Sequence, residues 1–380
     1  MNNILSRTSA VLGALVLGLG LPSAALADAL SSGQVTKIDA IVGAAMAKQH
    51  LVGVEVAVGR NGGTLFVKGY GLRDKAKGLP VTANTVFPTG SIGKQFTAAC
   101  VMLLVQQGKV NLDSKVARYL RAVPHASEIT VRELLNQTSG LHDYLENKAL
   151  VAALFGGTWM THHPSSYYVG LTKGDPLAFK PGTKWQYSNT NYEILGMLVA
   201  KVSGESYEQF VTDNIFKAQG LDSMQYLTWS IPVGDDVTRG YTYAKGANTQ
   251  LPRYDMSWGG SAGALASNAS DLVKWDGAFF GGKVISATNV TVATTPPHGI
   301  TMGMHSGNTQ SQIASGYGFG WVIGKDEGRT IIWHNGGIVG ARTMNATFPA
   351  DGLEIVVLTN ATTADPEIIA LKIARLLYGG

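Results

Sequence analysis

Thr89-Gly90-Ser91-Ile92-Gly93-Lys94-Gln95-Phe96 sets a serine and a lysine at the head of an apolar run that continues to Val105. Ser-x-x-Lys at the first turn of a buried helix puts two functional side chains three residues apart, on one helix face. The Ser91 hydroxyl and the Lys94 amine can then share one cavity. A serine hydroxyl is a poor nucleophile until a neighbouring base takes its proton. An amine becomes such a base once desolvation or another cation lowers its pKa. Free backbone N–H groups at the helix start, beside Ser91, suit an oxyanion. Nearly every residue from Phe96 to Val105 is apolar, which predicts a helix buried on most sides and closed by Gly108. Ser-x-x-Lys also arises by chance, as a helix-start serine with a solvated lysine, so its meaning depends on the rest of the chain.

The chain has 380 residues, 45% hydrophobic and 15% charged, enough for a sizeable core in one large or two joined domains. Its 47 glycines and low charge fit an exported enzyme with many turns. A net charge of +4 without a basic run gives no argument for nucleic acid. Arg7, the apolar run Ala10 to Leu21, Pro22 and then Ala25-Leu26-Ala27 read as a signal peptide over residues 1–27, cleaved after Ala27. The run is short for a membrane span, so no stable anchor is expected. The single cysteine, Cys100, falls inside the buried helix, which leaves neither a lipid-attachment cysteine nor a disulfide. A soluble periplasmic or secreted protein is the expectation.

Outward from the Ser91 helix, Val35 to His50 has the spacing of an amphipathic helix, and Val52 to Arg60 with Thr64 to Tyr70 flank Asn61-Gly62-Gly63 as a hairpin. Thr130 and Glu133 form a capping-box pattern before Leu134-Leu135. Asp143 to Lys180 reads as a long irregular segment with several aromatics, and therefore as a wall of a substrate cleft. Its adjacent His162 and His163 point apart, poor geometry for a metal. Trp185 to Tyr192 is followed by an apolar helix, and Tyr207 to Phe216 and Ser270 to Phe279 are further helices. The last third changes period. Gly318 to Ile323, Arg329 to His334, Ala341 to Phe348 and Leu353 to Asn360 read as strands, and Pro366 to Leu377 as a closing helix. These elements predict an α+β fold. One antiparallel sheet comes from both chain ends (about 28–85 and 285–380), terminal helices cover one face, and an all-helical insertion (about 86–284) sits beside it.

Three polar groups could converge in that architecture: Ser91 with Lys94, Tyr187 with Asn189, and His334-Asn335-Gly336-Gly337 at a strand end. A phenol near a lysine can relay a proton, and an asparagine offers a donor and an acceptor to a substrate amide. Glycines beside a strand let substrate lie close, with the Gly337 N–H completing an oxyanion hole with that of Ser91. The set resembles the serine β-lactamase and penicillin-binding superfamily, which joins Ser-x-x-Lys to a second and a third motif. Tyr-x-Asn with His-x-Gly is most similar to the branch of class C β-lactamases, D-alanyl-D-alanine carboxypeptidases, D-amino-acid amidases and family VIII esterases. The resemblance covers nearly the whole mature chain.

It implies that Ser91 is acylated, that Lys94 and Tyr187 share the proton work, and that Asn189, His334, Gly336 and Gly337 bind substrate, with no metal or organic cofactor. His334 stands where class C β-lactamases carry lysine. A histidine is only partly charged near neutrality, which argues against β-lactams as the main substrate. Arg342 is read either as a replacement carboxylate anchor or as a solvated strand arginine. Gln137 replaces a histidine frequent in relatives and carries no assigned role. Gly259-Gly260-Ser261-Ala262-Gly263 matches a nucleophile elbow, but no buried strand precedes it, so Ser261 is placed on a glycine turn at the cleft edge. The expected function is an exported serine hydrolase acting on D-amino-acid peptides or small carboxylic esters. β-Lactamase activity and a slow penicillin-binding or sensor module are the alternatives, and the oligomeric state is left open.

Overall fold

The computed structural model describes residues 29–156, 159–302 and 313–379. The segment read as a signal peptide, 1–27, lies outside the described residues.

The strand Leu353–Thr359 is buried along its whole length, the mark of a central strand covered on both faces. It pairs antiparallel on one side with Gly53–Arg60 and on the other with Ala341–Phe348. The two chain ends are thereby stitched into one sheet, with Val54 opposite Thr359 and Arg60 opposite Leu353. The eight strands run in the order Leu79–Pro80, Gly63–Asp74, Gly53–Arg60, Leu353–Thr359, Ala341–Phe348, Arg329–Ile338, Val322–Asp326 and Ala314–Tyr317. Every neighbouring pair is antiparallel.

Period-2 alternation sorts the side chains between two cores. Val54, Val56, Val58, Ile355 and Val357 pack against Ile38 and Val42 of the helix Ser32–Gln49 and Ile369 and Ile373 of the helix Pro366–Tyr378. Each of these fully buried aliphatics contributes about 1.5–3 kcal/mol over exposure, enough to dock both terminal helices. Ala57, Val356 and Leu358 face the other way, into a core shared with Phe96, Leu272, Val273 and Trp275. The helix Ala269–Phe280, read as part of the insertion, therefore lies directly on the sheet.

Three further details differ from expectation. The insertion is not all helical: Phe87–Pro88, Leu265–Ser267 and Gln225–Tyr226 form a small sheet, and Tyr241–Ala244 pairs with Ala247–Gln250. The described part of the segment Asp143 to Lys180 is not irregular throughout, since it holds the short helices Tyr144–Glu146, Lys148–Phe155 and Ser165–Gly170. Gly318 to Trp321 is a tight turn closed by Gly318 N–H donating to Trp321 C=O, 2.7 Å. Gly320, at φ 77°, presses on the backbone of Lys94, where a β-carbon would come within 2.6 Å of the Lys94 carbonyl. That contact requires glycine and explains why a strand-like run turns here.

Candidate active site

Ser91 lies in a 3-10 turn, Gly90–Ile92, that leads into the buried helix Gly93–Gln106. The helix ends with Gly108 at φ 71°, as its glycine predicts. Lys94 is completely buried. Its amine is 3.2 Å from Ser91 Oγ and donates to Asn189 Oδ1 at 2.7 Å and to the Ala262 carbonyl at 2.6 Å. Burial pushes its pKa down to about 7, against the opposing pull of Asp143 and Glu193. A neutral amine has two protons to give. With both committed to Asn189 and Ala262, its lone pair is left for the Ser91 hydroxyl.

Tyr187 and Asn189 enter from the start of the helix Asn189–Ser203. The Lys94 amine sits 4.8 Å from the Tyr187 ring centre and 5.5 Å from that of Tyr192. Burial, with Tyr317 adding to it and the Ser91 hydroxyl opposing, holds the Tyr187 phenol well above the usual tyrosine range. It is therefore a proton donor near neutrality, and the basic member of the pair is Lys94. The loop is held by Gln137, in left-handed conformation at φ 64°. Gln137 Oε1 accepts from Ser188 N–H at 3.0 Å and from Asn191 Nδ2 at 2.5 Å, and its carbonyl accepts from Gln186 N–H. A residue without an assigned role in the sequence thus fixes where Tyr187 and Asn189 stand. Asp143, read only as the start of a cleft wall, accepts from Asn189 Nδ2 at 2.8 Å and from its N–H at 3.2 Å.

His334, Gly336 and Gly337 lie in the strand Arg329–Ile338. Its pairing with Val322–Asp326 stops at Trp333, while that with Ala341–Phe348 runs on to Ile338. One edge of His334 to Ile338 is thus left without a strand partner among the described residues. A β-carbon on Gly336 would fall 1.8 Å from the Thr89 carbonyl, and one on Gly90 would fall 2.8 Å from Gly337 N. Only glycines allow the strand to close on the Ser91 turn, which brings the Gly337 amide beside it.

His334 differs from the partly charged group expected. It is buried, and its Nδ1–H donates to the Asn335 carbonyl at 2.6 Å, so Nε2 accepts from the Tyr317 hydroxyl at 3.0 Å. Burial first, then the Lys94 charge, lowers its pKa to about 3, against the Asn335 carbonyl. A neutral imidazole with both nitrogens engaged is no cationic anchor. Arg342 is not a freely solvated strand arginine either. It is paired opposite Gly337, donates from Nε to the Thr362 carbonyl at 2.9 Å, and packs its guanidinium over Gly337.

The elbow-like serine is also placed differently. Ser261 lies in the short helix Gly260–Gly263, buried behind Lys94 rather than at a cleft edge, with Oγ donating to the Tyr192 carbonyl at 2.9 Å. Its segment acts through backbone: Ala262 C=O on Lys94, Ser261 C=O on the Thr97 hydroxyl. His162 pairs with Asp255 at 3.2 Å, and His163 stacks on Tyr167.

An antiparallel sheet assembled from both termini, with a Ser–Lys pair at its helical border and Tyr-x-Asn opposite a His-x-Gly strand, defines the serine β-lactamase and penicillin-binding class. The chain belongs to the Beta-lactamase family, which matches residues 38–379. It is 28% identical to a penicillin-binding protein of Bacillus subtilis (strain 168), over 88% of this chain and 74% of that protein. It is 24% identical to protein flp of Staphylococcus aureus (strain MW2), over 87% of this chain and 64% of that one. Among solved structures it is similar to the octameric penicillin-binding protein homologue of Pyrococcus abyssi, with a TM-score of 0.80, 26% identity and coverage of 91% and 77%. It shares the fold of the D-amino acid amidase of Ochrobactrum anthropi SV3, with a TM-score of 0.78, 21% identity and coverage of 92% and 99%.

Proposed function

We propose that the protein is an exported serine hydrolase that forms an acyl-enzyme at Ser91 on D-amino-acid peptides or amides, or on small carboxylic esters. The observation that carries this reading is the completely buried Lys94 amine, lowered to about 7 and 3.2 Å from Ser91 Oγ. In the first step Ser91 Oγ bonds to the substrate carbonyl carbon and its proton passes to Lys94. The carbonyl oxygen becomes an oxyanion, facing the amides of Ser91 and Gly337. As the tetrahedral species collapses, the bond to the leaving amine or alcohol breaks. That group takes a proton from Lys94 or, by relay, from the Tyr187 hydroxyl. Water then attacks the acyl carbon, gives up a proton by the same route, and frees Ser91 as the acid product departs.

Asn189 and the free edge at Gly336 and Gly337 would align the acyl chain. The neutral His334 supports amides and esters, which carry no carboxylate there, over β-lactams, whose carboxylate calls for a lasting cation in that place. The D-amino acid amidase fold and the penicillin-binding relatives support the same acyl classes. Export rests on residues 1–27, and no helix among the described residues is long and apolar enough to cross a membrane.

The test is a panel of a D-Ala-D-Ala peptide, a D-amino-acid amide, a nitrophenyl ester and a chromogenic cephalosporin, with mass spectrometry of the trapped enzyme. Turnover of the first three with an adduct on Ser91 is expected. Faster turnover of the cephalosporin would establish a β-lactamase instead, and no adduct with any substrate would overturn the hydrolase reading.

A further inference from the structure

Two carboxylates, the buried Glu193 and the half-buried Asp143, take no part in the scheme above, and each lies one bond beyond Lys94. The amine gives its protons to Asn189 Oδ1 and to the Ala262 carbonyl. Asn189 is gripped by Asp143, which accepts from its side-chain amide at 2.8 Å and its backbone N–H at 3.2 Å. An amide whose Nδ2 is held by a carboxylate can turn only Oδ1 toward the lysine. Ala262 is gripped by Glu193, whose Oε1 accepts from the Ala262 N–H at 3.2 Å. Glu193 has no exposed surface, and the rise that burial imposes on it is opposed by bonds from the Ser165 hydroxyl and the Ala262 and Ser261 amides. Room for it is made by Gly260, where a β-carbon would lie within 2.4–2.7 Å of the carboxylate. This gives the glycine of the elbow-like stretch a purpose unrelated to an elbow.

We propose that Asp143 and Glu193 are a pair of positioning residues for Lys94, each anchoring one of the two acceptors that aim its lone pair at Ser91 and together placing negative charge around the amine. A carboxylate withdrawn from water is costly unless hydrogen bonds and an opposite charge compensate it. The Lys94 amine is that partner electrostatically: both carboxylates raise its affinity for a proton against desolvation. Burial in turn raises Asp143, and raises Glu193 to about 7, with Lys94 opposing in both. The other groups facing the amine are the neutral His334, the protonated Tyr187 and Tyr192, and Ser91 itself. His142 and Glu146, on the adjoining turn, pair with each other at the surface. Without the two carboxylates, desolvation alone would act on Lys94. It would then be neutral over a wider pH range but a weaker proton acceptor, and its lone pair would lose its fixed direction.

The inference rests on Lys94 being the base for Ser91 and is tested with it. Acylation by p-nitrophenyl butyrate is followed from pH 5 to 10 in the wild type, Asp143→Asn, Glu193→Gln and Asp143→Ala, with thermal melting as a check on folding. Asparagine and glutamine keep an oxygen for the Asn189 and Ala262 donors and remove the charge, while in Asp143→Asn the new amide also replaces the oxygen that accepts from the Leu145 N–H at 3.0 Å. In Asp143→Asn and in Glu193→Gln the acid limb of kcat/KM should move down by about one pH unit. The alkaline plateau should stay within about threefold of wild type. Asp143→Ala, which also frees the Asn189 amide, should lose tenfold or more on the plateau, the scale of a misplaced catalytic group. Acid limbs at the wild-type pH in both isosteric variants would overturn the proposal, and either variant suffices if the other does not fold. A wild type that forms no adduct on Ser91 would instead sink the parent reading.

Discussion

The Tyr317 hydroxyl donates to His334 Nε2 across 3.0 Å, while His334 Nδ1–H is committed to the Asn335 carbonyl. The imidazole is thereby fixed in one neutral tautomer next to Lys94, and protonating it would break the bond from Tyr317 and bury a second cation. With its pKa near 3, His334 should contribute no ionisation between pH 5 and 9. Profiles of kcat/KM against pH for an anionic D-peptide and a neutral ester should therefore share one acid limb, set by Lys94. A separate decline for the anionic substrate near pH 6.5 would show that His334 does carry charge. His334→Lys should cost at least tenfold and move the Lys94 limb to lower pH, since two buried amines repel.

Ser91→Ala should abolish turnover and adduct formation with little change in melting temperature. The Ser91 hydroxyl caps neither the Gly90–Ile92 turn nor the helix Gly93–Gln106, and its contact with the Lys94 amine is worth about 1 kcal/mol to the fold. Ser261→Ala should behave oppositely. Its Oγ donates to the buried Tyr192 carbonyl, so its loss should destabilise by about 1–3 kcal/mol while Ser91 is still acylated. Adduct mass and differential scanning calorimetry on both variants separate the two roles. Loss of the adduct in Ser261→Ala alone would make Ser261 the nucleophile.

Tyr187→Phe keeps the ring beside Lys94 and removes only the hydroxyl. If the phenol relays the leaving-group proton, kcat should fall by about two to four orders of magnitude. Substrates with a good leaving group, such as a nitrophenyl ester, should lose least, because nitrophenolate needs no proton. Equal losses for amide and ester would remove Tyr187 from the relay.

Asp276 is completely buried and accepts from Asn345 Nδ2 at 2.8 Å and from the Thr347 hydroxyl at 2.9 Å. Burial raises it from 3.8 to about 7, against those two bonds. Between these values the folded chain holds more protons than the unfolded one. Its contribution to stability is therefore greatest below pH 4, falls as pH rises to 7, and is lost above that. Asp276→Asn should match wild type near pH 3, where the carboxyl is neutral in the folded and the unfolded chain alike, and the Thr347 hydroxyl can turn to accept from the new amide. At pH 9 the variant should be more stable by roughly a few kcal/mol. Chemical denaturation at both pH values measures the difference, and one independent of pH would mean that Asp276 does not titrate in this range.

The parts of this protein that local chemistry dictates could be read without a structure. The buried helix behind Ser91, the Thr130 capping box, the terminal helices and the period-2 strands each follow from spacing within a dozen residues. Ser91, Lys94, Tyr187, Asn189, His334, Gly336 and Gly337 could be named as candidates from three short motifs and the family they resemble. What tertiary structure alone decided was the state of those groups. Whether Lys94 is a base and His334 a cation depends on desolvation and on partners distant in sequence: Asn189, Ala262, Asp143 and Glu193 for one, Tyr317 for the other. The same holds for Gln137, whose left-handed backbone and grip on the Tyr187 loop leave no pattern in the chain. Gly318 to Trp321 read as a strand because alternation cannot reveal that Gly320 must touch the backbone of Lys94. Composition and periodicity report which groups are present and which face is apolar. Proton affinity is set by the dielectric and the charges within a few ångströms, and these exist only once the chain has folded.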